Sequence, residues 1–463
     1  MSLPEAFIQK MTDLMGSSES ADFFLSYRQQ RAFGLRVNSL KITPETLAKQ
    51  SGFHLKSIPF CPSGFYYEET DKPGKHPYHQ AGLYYIQEPS AMFVAEQIGA
   101  RPGEKVLDLC AAPGGKSAQI AAAMNNEGLL VANEVYPKRA RALSENIERM
   151  GITNTLVTNE TPERLADYFP GYFNRILVDA PCSGEGMFRK DPQAVHYWST
   201  AHVRKCAALQ SKILDYAYRM LAAGGILVYS TCTFSPEENE QMIDGLLAKY
   251  PDLELLPVEK KNGIENGRPE WTESQNSLIG RTARLWPHRL AGEGHFAAKL
   301  QKYETVQTVQ KGRTAKSAKE TLLKDYRLFE SEALAEKLNG IFFFAGKQLF
   351  LLPGGCPDLD GLNVIRAGLH LGEQKKKRFE PNHALALALP AQAFRSTIAM
   401  TSKNGDWEAY LRGETLPAPA GFKGWAAVLI DGFPLGWVKA AGGLLKNYYP
   451  KGLRQRALNH ENR

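Results

Sequence analysis

The chain has 463 residues, 43% of them hydrophobic and 23% charged, with a formal charge of +7. That length exceeds what one hydrophobic core serves and implies about three domains, and the balance excludes a disordered or fibrous chain. No apolar run approaches the ~18 residues of a membrane span, and residues 1–7 lack a secretory pattern, so a cytoplasmic protein with no membrane partner is expected.

Residues 1–85 carry mixed helix and strand patterns, including Gly34-Leu35-Arg36-Val37-Asn38. Between 100 and 300 the pattern alternates strand and helix. Residues 105–109 predict a first strand, followed by the turn Cys110-Ala111-Ala112-Pro113-Gly114-Gly115 and an alanine-rich helix over 117–124. Residues 128–134 predict a second strand ending in Glu134, and 137–150 an amphipathic helix with Pro137 at its start and Gly151 as its cap. A third strand covers 154–158. The fourth and fifth, 175–178 and 225–229, flank a long helix over 202–221. Their short aliphatic runs read as buried parallel strands.

After Cys232, Ser235-Pro236-Glu237-Glu238 has the form of a capping box with proline at the first helical position. It predicts a helix whose amide-rich end lies three residues past the thiol and lowers its pKa. Residues 283–286 and 295–300 predict a hairpin closing the sheet with an antiparallel strand. A basic linker spans 303–318, and Lys375-Lys376-Lys377-Arg378 is a compact basic block. Hairpins are predicted over 341–352 and again around Asp431-Gly432, a strong two-residue turn signal.

Two cysteines stand out. Cys182, in Asp179-Ala180-Pro181-Cys182-Ser183-Gly184, follows the fourth strand, and Cys232, in Ser230-Thr231-Cys232-Thr233, follows the fifth. Open parallel sheets gather their chemistry at the carboxyl ends of strands, so the two thiols are expected in one pocket. The other four, Cys61, Cys110, Cys206 and Cys356, form no CxxC pair; neither a zinc site nor a structural disulfide is expected.

Gly114-Gly115-Lys116-Ser117 resembles the end of a P-loop, which makes an NTPase the rival enzyme class. Two mismatches count against it. The first glycine of Gly-x-x-x-x-Gly-Lys-Ser is replaced by Cys110, and Pro113 has no amide hydrogen for a phosphate. The same turn suits a nucleoside without phosphates. Glu134 stands where a doubly wound fold places a carboxylate on ribose hydroxyls, and Asp108 lies beside the turn. S-adenosylmethionine fits that constellation.

With the glycine turn, Glu134 and both cysteine motifs in place, the chain resembles the RNA cytosine-C5 methyltransferases of the NOL/NOP/Sun family, most closely the bacterial 16S ribosomal RNA methyltransferases of the F type. Gln87-Glu88-Pro89-Ser90-Ala91-Met92 and Gly184-Glu185-Gly186-Met187-Phe188-Arg189-Lys190-Asp191-Pro192 fit that subgroup, as do Gly436-Trp437-Val438-Lys439 and Lys446-Asn447-Tyr448-Tyr449-Pro450 in the tail. The resemblance implies an α/β fold: a Rossmann-like S-adenosylmethionine-dependent core with an N-terminal α+β domain and C-terminal α+β and β-rich, PUA-like RNA-binding modules. The division it suggests is 1–85, catalytic 86–302, linker 303–318, then 319–390 and 391–463.

Cofactor contacts are expected from Cys110, Ala111, Ala112, Pro113, Gly114, Gly115, Lys116, Glu134 and Asp179, with no metal. The family has an acidic residue near the adenine after the third strand; this chain has Thr158-Asn159-Glu160-Thr161 there, which leaves open which side chain makes that contact. Carbon 5 of cytosine is not nucleophilic, so a thiolate must add to C6 first. An acid must meet N3 or the exocyclic amine, and Asp179 is placed to do so. Motif position alone lets either thiol attack. The capped helix and the family's Thr-Cys motif favour Cys232, leaving Cys182 to assist release. The expected partner is 16S ribosomal RNA, free or in the 30S particle, with the decoding region as target and the protein a monomer. A catalytically silent RNA-binding assembly factor is the alternative from another class, though no motif is broken.

Overall fold

Ten strands, nine of them in one path, build the sheet that carries the chemistry. The computed structural model describes residues 3–303 and 314–454. Ahead of that sheet, β1 (Gly34–Val37), β2 (Lys56–Ser57), β3 (Gly64–Tyr66) and β4 (Tyr84–Ile86) form a small antiparallel sheet in the order β2-β3-β1-β4. Then come β5 (Lys105–Asp108), β6 (Leu129–Asn133), β7 (Thr155–Thr158), β8 (Phe173–Asp179) and β9 (Leu221–Thr231). They pair in parallel as β7-β6-β5-β8-β9. Strand order therefore reverses between β5 and β8, the point at which such sheets open a crevice for ligands.

Both faces of these strands are covered, which is why their sequences are aliphatic without alternation. Helix Thr200–Met220 packs Ile213, Leu214 and Ala217 against one face; Pro89–Ile98 and Gly115–Ala123 bring Val94, Ile98 and Ile120 to the other. On the β9 side, β10 (Leu253–Leu256), β11 (Ile264–Asn266), β12 (Ala283–Leu285) and β13 (His295–Lys302) add antiparallel pairing. Phe296 sits opposite Thr231, so His295 begins its strand beside Cys232.

At the opposite edge the chain does something its sequence did not announce. Beyond the hairpin of β14 (Ile341–Ala345) and β15 (Gln348–Leu352), β16 (Val364–Ala367) pairs antiparallel with β7 and closes that edge. A later segment of the chain thus extends the catalytic sheet. The predicted linker falls mostly on residues 304–313, outside the described residues.

The hairpin at Asp431-Gly432 forms between Gly424–Ile430 and Phe433–Ala441, with φ of 47° and 89° at the two turn residues. Its sheet shares one core with the N-terminal sheet: Leu35, Val37 and Tyr84 pack among Tyr410, Val428 and Val438. Helix Glu5–Ser26 lies elsewhere, its Phe7 and Phe23 meeting Phe188, Trp198, Phe234 and Trp286 under the cysteine loops. Among the described residues no helix is long and apolar enough to cross a membrane.

Candidate active site

A cavity of about 260 Å³ opens at the carboxyl ends of β5, β8 and β9, beneath β4 and the segment after it. Cys110, Ala111, Ala112, Pro113, Gly115 and Lys116 line one wall, Asp108 and Asp179 the floor, and Cys232 the far side. Tyr85, Gln87, Glu88 and His295 complete it.

The turn needs its glycines for two separate reasons. Gly114 has φ of +110°, which side chains rarely adopt. A Cβ on Gly115 would lie 3.0 Å from Tyr85 Cε1 and 3.4 Å from Gln87, narrowing the cavity between turn and N-terminal sheet. Asp108 closes the strand below. Its Oδ2 accepts from Ser117 Oγ at 2.7 Å, while Oδ1 is buried with no hydrogen-bond partner. Burial pushes this carboxyl up to about 7, with the Asp179 charge adding and the Ser117 hydrogen bond opposing. An orphaned carboxylate oxygen on the wall of a nucleoside-sized cavity calls for a cationic or hydroxyl donor. S-adenosylmethionine, with its ammonium group and ribose hydroxyls, meets that demand, so the residues fit the cofactor.

Lys116, read from sequence as a cofactor residue, lines the cavity, and its Nζ donates to Asp179 Oδ2 at 2.8 Å. Asp179 Oδ1 accepts from Ser230 Oγ at 2.6 Å, a contact set by the register that aligns those two residues. Burial alone would raise the Asp179 carboxyl, but the Lys116 ammonium, then His295 and the hydrogen bonds outweigh it and hold it below its usual range. Asp179 is therefore an anion at neutral pH. In the free protein it accepts from both Lys116 and Ser230, and the proton donor beside it is Lys116.

The two thiols do converge, with Sγ of Cys182 and Cys232 3.3 Å apart. They are not equivalent. Cys232 lines the cavity beside Lys116 and Asp179. Cys182 sits behind it. The hydrogen bond with Cys232, then burial, pushes the Cys182 thiol well up, which favours its protonated form. Cys110 is also raised, chiefly by burial, and serves as wall rather than nucleophile.

One argument used to rank the thiols does not survive. The segment after Cys232 is a single 3-10 turn, Pro236–Glu238, and the α-helix starts only at Glu240. Ser235 caps nothing; its Oγ donates to Glu185 Oε1 at 2.6 Å. Tertiary partners outcompete the local box. Glu185 also accepts from Phe234 N at 2.8 Å, while Glu238 accepts from Ser183 N at 3.0 Å and Gln210 Nε2 at 2.8 Å. Gly186 N donates to Cys232 O at 2.9 Å. These two buried carboxylates lace the cysteine loops together, and nothing in the local sequence signals the pairing.

Glu134 follows its strand as expected, near enough for its charge to help raise Asp108 and Cys110 in the cavity. Its carboxylate accepts from Tyr136 N at 2.9 Å and pairs with Arg139 at 3.1 Å. In the neighbouring segment, Asn159 Nδ2 donates to the carbonyls of Glu134 and Val135 at 2.7 and 2.9 Å, and Glu160 accepts from Asn363 N at 2.7 Å. Glu160 is thus engaged by the segment leading into β16, and Asn159 is bonded to the Glu134 turn.

Sequence reasoning missed His295 altogether. Its Nδ1 lies 2.8 Å from Ser90 Oγ, which donates to Glu88 Oε2 at 2.5 Å. A hydroxyl has one proton, so Nδ1 carries the hydrogen in its contact and Nε2 is the bare edge. Burial, then the Lys116 charge, pushes this imidazole down to about 4. Histidine at the start of an apolar strand was the available signal.

Four family models match in chain order. These are the N-terminal domain of 16S rRNA methyltransferase RsmF over residues 3–89, 16S rRNA methyltransferase RsmB/F over 96–301, the RsmF first C-terminal domain over 328–389 and the RsmF PUA domain over 399–455. Ribosomal RNA small subunit methyltransferase F from Vibrio vulnificus (strain YJ016) is 32% identical over 468 residues, covering 97% of each chain. The protein of that name from Klebsiella pneumoniae (strain 342) is 34% identical over 473 residues, covering 97% of this chain and 96% of that one. A methyltransferase homolog from Pyrococcus horikoshii superposes with a TM-score of 0.56 at 30% identity, over 65% of this chain and 100% of the other. NSun6 from the same organism, solved with SFG, shares the fold at a TM-score of 0.56 and 23% identity, over 65% and 99%. With matches along nearly its whole length and a cavity suited to the cofactor, the chain belongs to the 16S rRNA methyltransferase RsmB/F family, as an S-adenosylmethionine-dependent RNA methyltransferase with the RsmF-type N-terminal, C-terminal and PUA domains.

Proposed function

We propose that this protein methylates carbon 5 of cytosine in the decoding region of 16S ribosomal RNA, through a covalent bond between Cys232 Sγ and C6 of the base. The observation that carries the reading is the pair of thiols in contact at 3.3 Å beside the Lys116–Asp179 ion pair. Two adjacent thiols suit a reaction in which a sulfur–carbon bond is first made and then broken.

In this reading Cys232 adds to C6 and gives C5 enamine character. The Asp179 carboxylate accepts from the exocyclic amine, and the Lys116 ammonium supports charge as the adduct forms. Bound S-adenosylmethionine supplies an electrophilic methyl group on a sulfonium sulfur. Once a solvent water takes the C5 proton, the C6–sulfur bond breaks, and the Cys182 S–H donates to the departing thiolate. Asp108 holds the ammonium end of the cofactor. Glu134 takes the ribose hydroxyls with lone pairs beyond those used by Tyr136 and Arg139, and Gly114 and Gly115 let the backbone approach.

Since C5 and C6 are inaccessible in a stack, the cytosine enters the cavity flipped or from an unpaired segment. We read residues 86–302 as the catalytic unit and 1–85, 319–390 and 391–463 as the modules that hold RNA, in a cytoplasmic monomer. Bisulfite mapping of 16S RNA from cells lacking the gene, with and without this protein restored, tests the reading. Cytosines that lose and regain protection support it; an unchanged map defeats it.

A further inference from the structure

Three hollows run end to end from the active site across the N-terminal sheet. The cavity shares Ile86, Gln87, Glu88 and Lys190 with a second hollow of about 180 Å³, which Arg31, Phe33 and Tyr67 help to line. That one shares Phe33 and Tyr67 with a third of about 200 Å³, walled by Lys72, Lys75 and Glu69. Phe33 and Tyr67 stand between the two outer hollows, half-buried, with ring centroids 5.6 Å apart and planes tilted by 35°. Tyr67 N donates to Phe33 O at 3.1 Å, which fixes the two backbones side by side. The Arg31 guanidinium lies 5.0 Å from the Phe33 centroid.

Charge along the trough is one-sided. Arg31, Lys72, Lys75 and Lys190 are exposed. Two carboxylates that touch the trough are already used: Glu293 pairs with Arg189 at 2.7 Å, and Glu88 accepts from Ser90 N at 3.0 Å and Glu293 N at 2.8 Å. Glu69 is the exposed acid that remains among these lining residues. Aromatic faces beside fixed cations, with little competing negative charge, match the two surfaces of single-stranded nucleic acid, its bases and its phosphates.

We infer that the Arg31–Phe33–Tyr67 trough is a binding subsite for the unpaired nucleotides next to the target cytosine, with the aromatic pair stacking a base and Arg31, Lys72 and Lys75 meeting its phosphates. The inference rests on the RNA-cytosine reading above, because its strand must enter the cavity at the end marked by Lys190. A groove for a ribosomal protein segment would have less use for a cation-flanked aromatic pair opening straight into the base pocket. The subsite also gives the N-terminal sheet a task in holding the target strand: it grips the flanking nucleotides by stacking, which tolerates any base.

The test uses a short, cytosine-containing single-stranded RNA labelled with fluorescein, its binding to the full chain followed by anisotropy. Methyl transfer to naked 16S RNA and to 30S subunits is measured in parallel. Phe33→Ala and Phe33→Leu should each weaken oligonucleotide binding roughly ten- to a hundredfold, with Phe33→Trp near wild type. Arg31→Ala and Lys72→Ala should each reduce the slope of log affinity against log salt by about 0.7. Affinity for S-adenosylmethionine should stay unchanged in all of them, which shows that they fold. Oligonucleotide binding unaltered by both Phe33→Ala and Arg31→Ala overturns the subsite. So does a loss confined to 30S subunits, which would assign the trough to a protein. Weakened binding in a protein that transfers no methyl group would keep the subsite and defeat the catalytic reading instead.

Discussion

Two ion pairs in the catalytic domain are built from the same chemistry and do opposite work. Lys116–Asp179 lines the cavity, its side chains 13% and 28% exposed. Arg284–Glu240 lies one layer behind, with side chains 1% and 0% exposed, the guanidinium between the rings of Trp271 and Trp286 at 4.8 and 4.9 Å and donating to Phe234 O at 2.9 Å. Sealed in this way, the second pair cannot exchange partners and anchors the loop that carries Cys232. The first faces a space that a substrate fills, so its hydrogen bonds can be handed to a ligand. Enclosure, rather than residue type, separates the structural pair from the working one.

Mutations that remove one member at a time sharpen this contrast. The largest effect belongs to the thiol that lines the cavity. Cys232→Ala should lower methyl transfer by roughly 10⁴-fold or more, whereas Cys182→Ala should still form the covalent RNA complex and release it slowly. Radiolabel transfer and denaturing gels read both, and transfer by Cys232→Ala with none by Cys182→Ala would reverse the assignment. Next comes the sealed pair. Arg284→Met alone leaves Glu240 buried and uncompensated and should cost about 3–5 kcal/mol of unfolding free energy, much of it recovered in the Arg284→Met/Glu240→Leu double variant. Urea denaturation decides this, and no recovery would mean that packing, not charge, is at stake.

Asp179→Asn should show the reverse profile, losing roughly 10²-fold in turnover while changing stability by about 1 kcal/mol. What the Asp179 carboxylate does contribute is present above its unfolded pKa of ~4 and fades as pH falls through its lower folded value. The smallest effect concerns Asp108, whose carboxyl lies at about 7 in the free protein. Only its ionised form attracts the cofactor's ammonium, so affinity for S-adenosylmethionine should rise as pH increases through about 7 and then level off. Calorimetry across that range should show a flat profile in Asp108→Asn; a wild type that is equally flat would remove Asp108 from the cofactor site.

Much of this site is legible in the residues because it hangs on strand ends. Strands β5, β8 and β9 are short aliphatic runs with turn residues at their carboxyl ends, so Asp108, Asp179, Cys182 and Cys232 could be gathered at one crevice before any coordinates. The Asp431-Gly432 hairpin was equally clear, since two left-handed residues in a row leave little choice. Less legible were features set by distant neighbours. Ser235, Pro236 and Glu238 spell a helix start, but Glu185 takes the serine and Ser183 and Gln210 take the glutamate, so only a 3-10 turn forms. Likewise, nothing local says that Val364–Ala367 closes the edge beside β7.

By itself, then, the sequence determined the doubly wound core, the glycine turn and the presence of two thiols at adjacent strand ends, because these depend on local periodicity and backbone sterics. Tertiary structure alone decided which thiol faces the cavity, that Lys116 turns to Asp179 and makes it an anion, and that His295 and Glu88, joined through Ser90, complete the wall. Those outcomes depend on burial and on charges brought together from segments as far apart as residues 88 and 295. Electrostatic energy in a low-dielectric site is set by distance in space, and distance along the chain does not encode it.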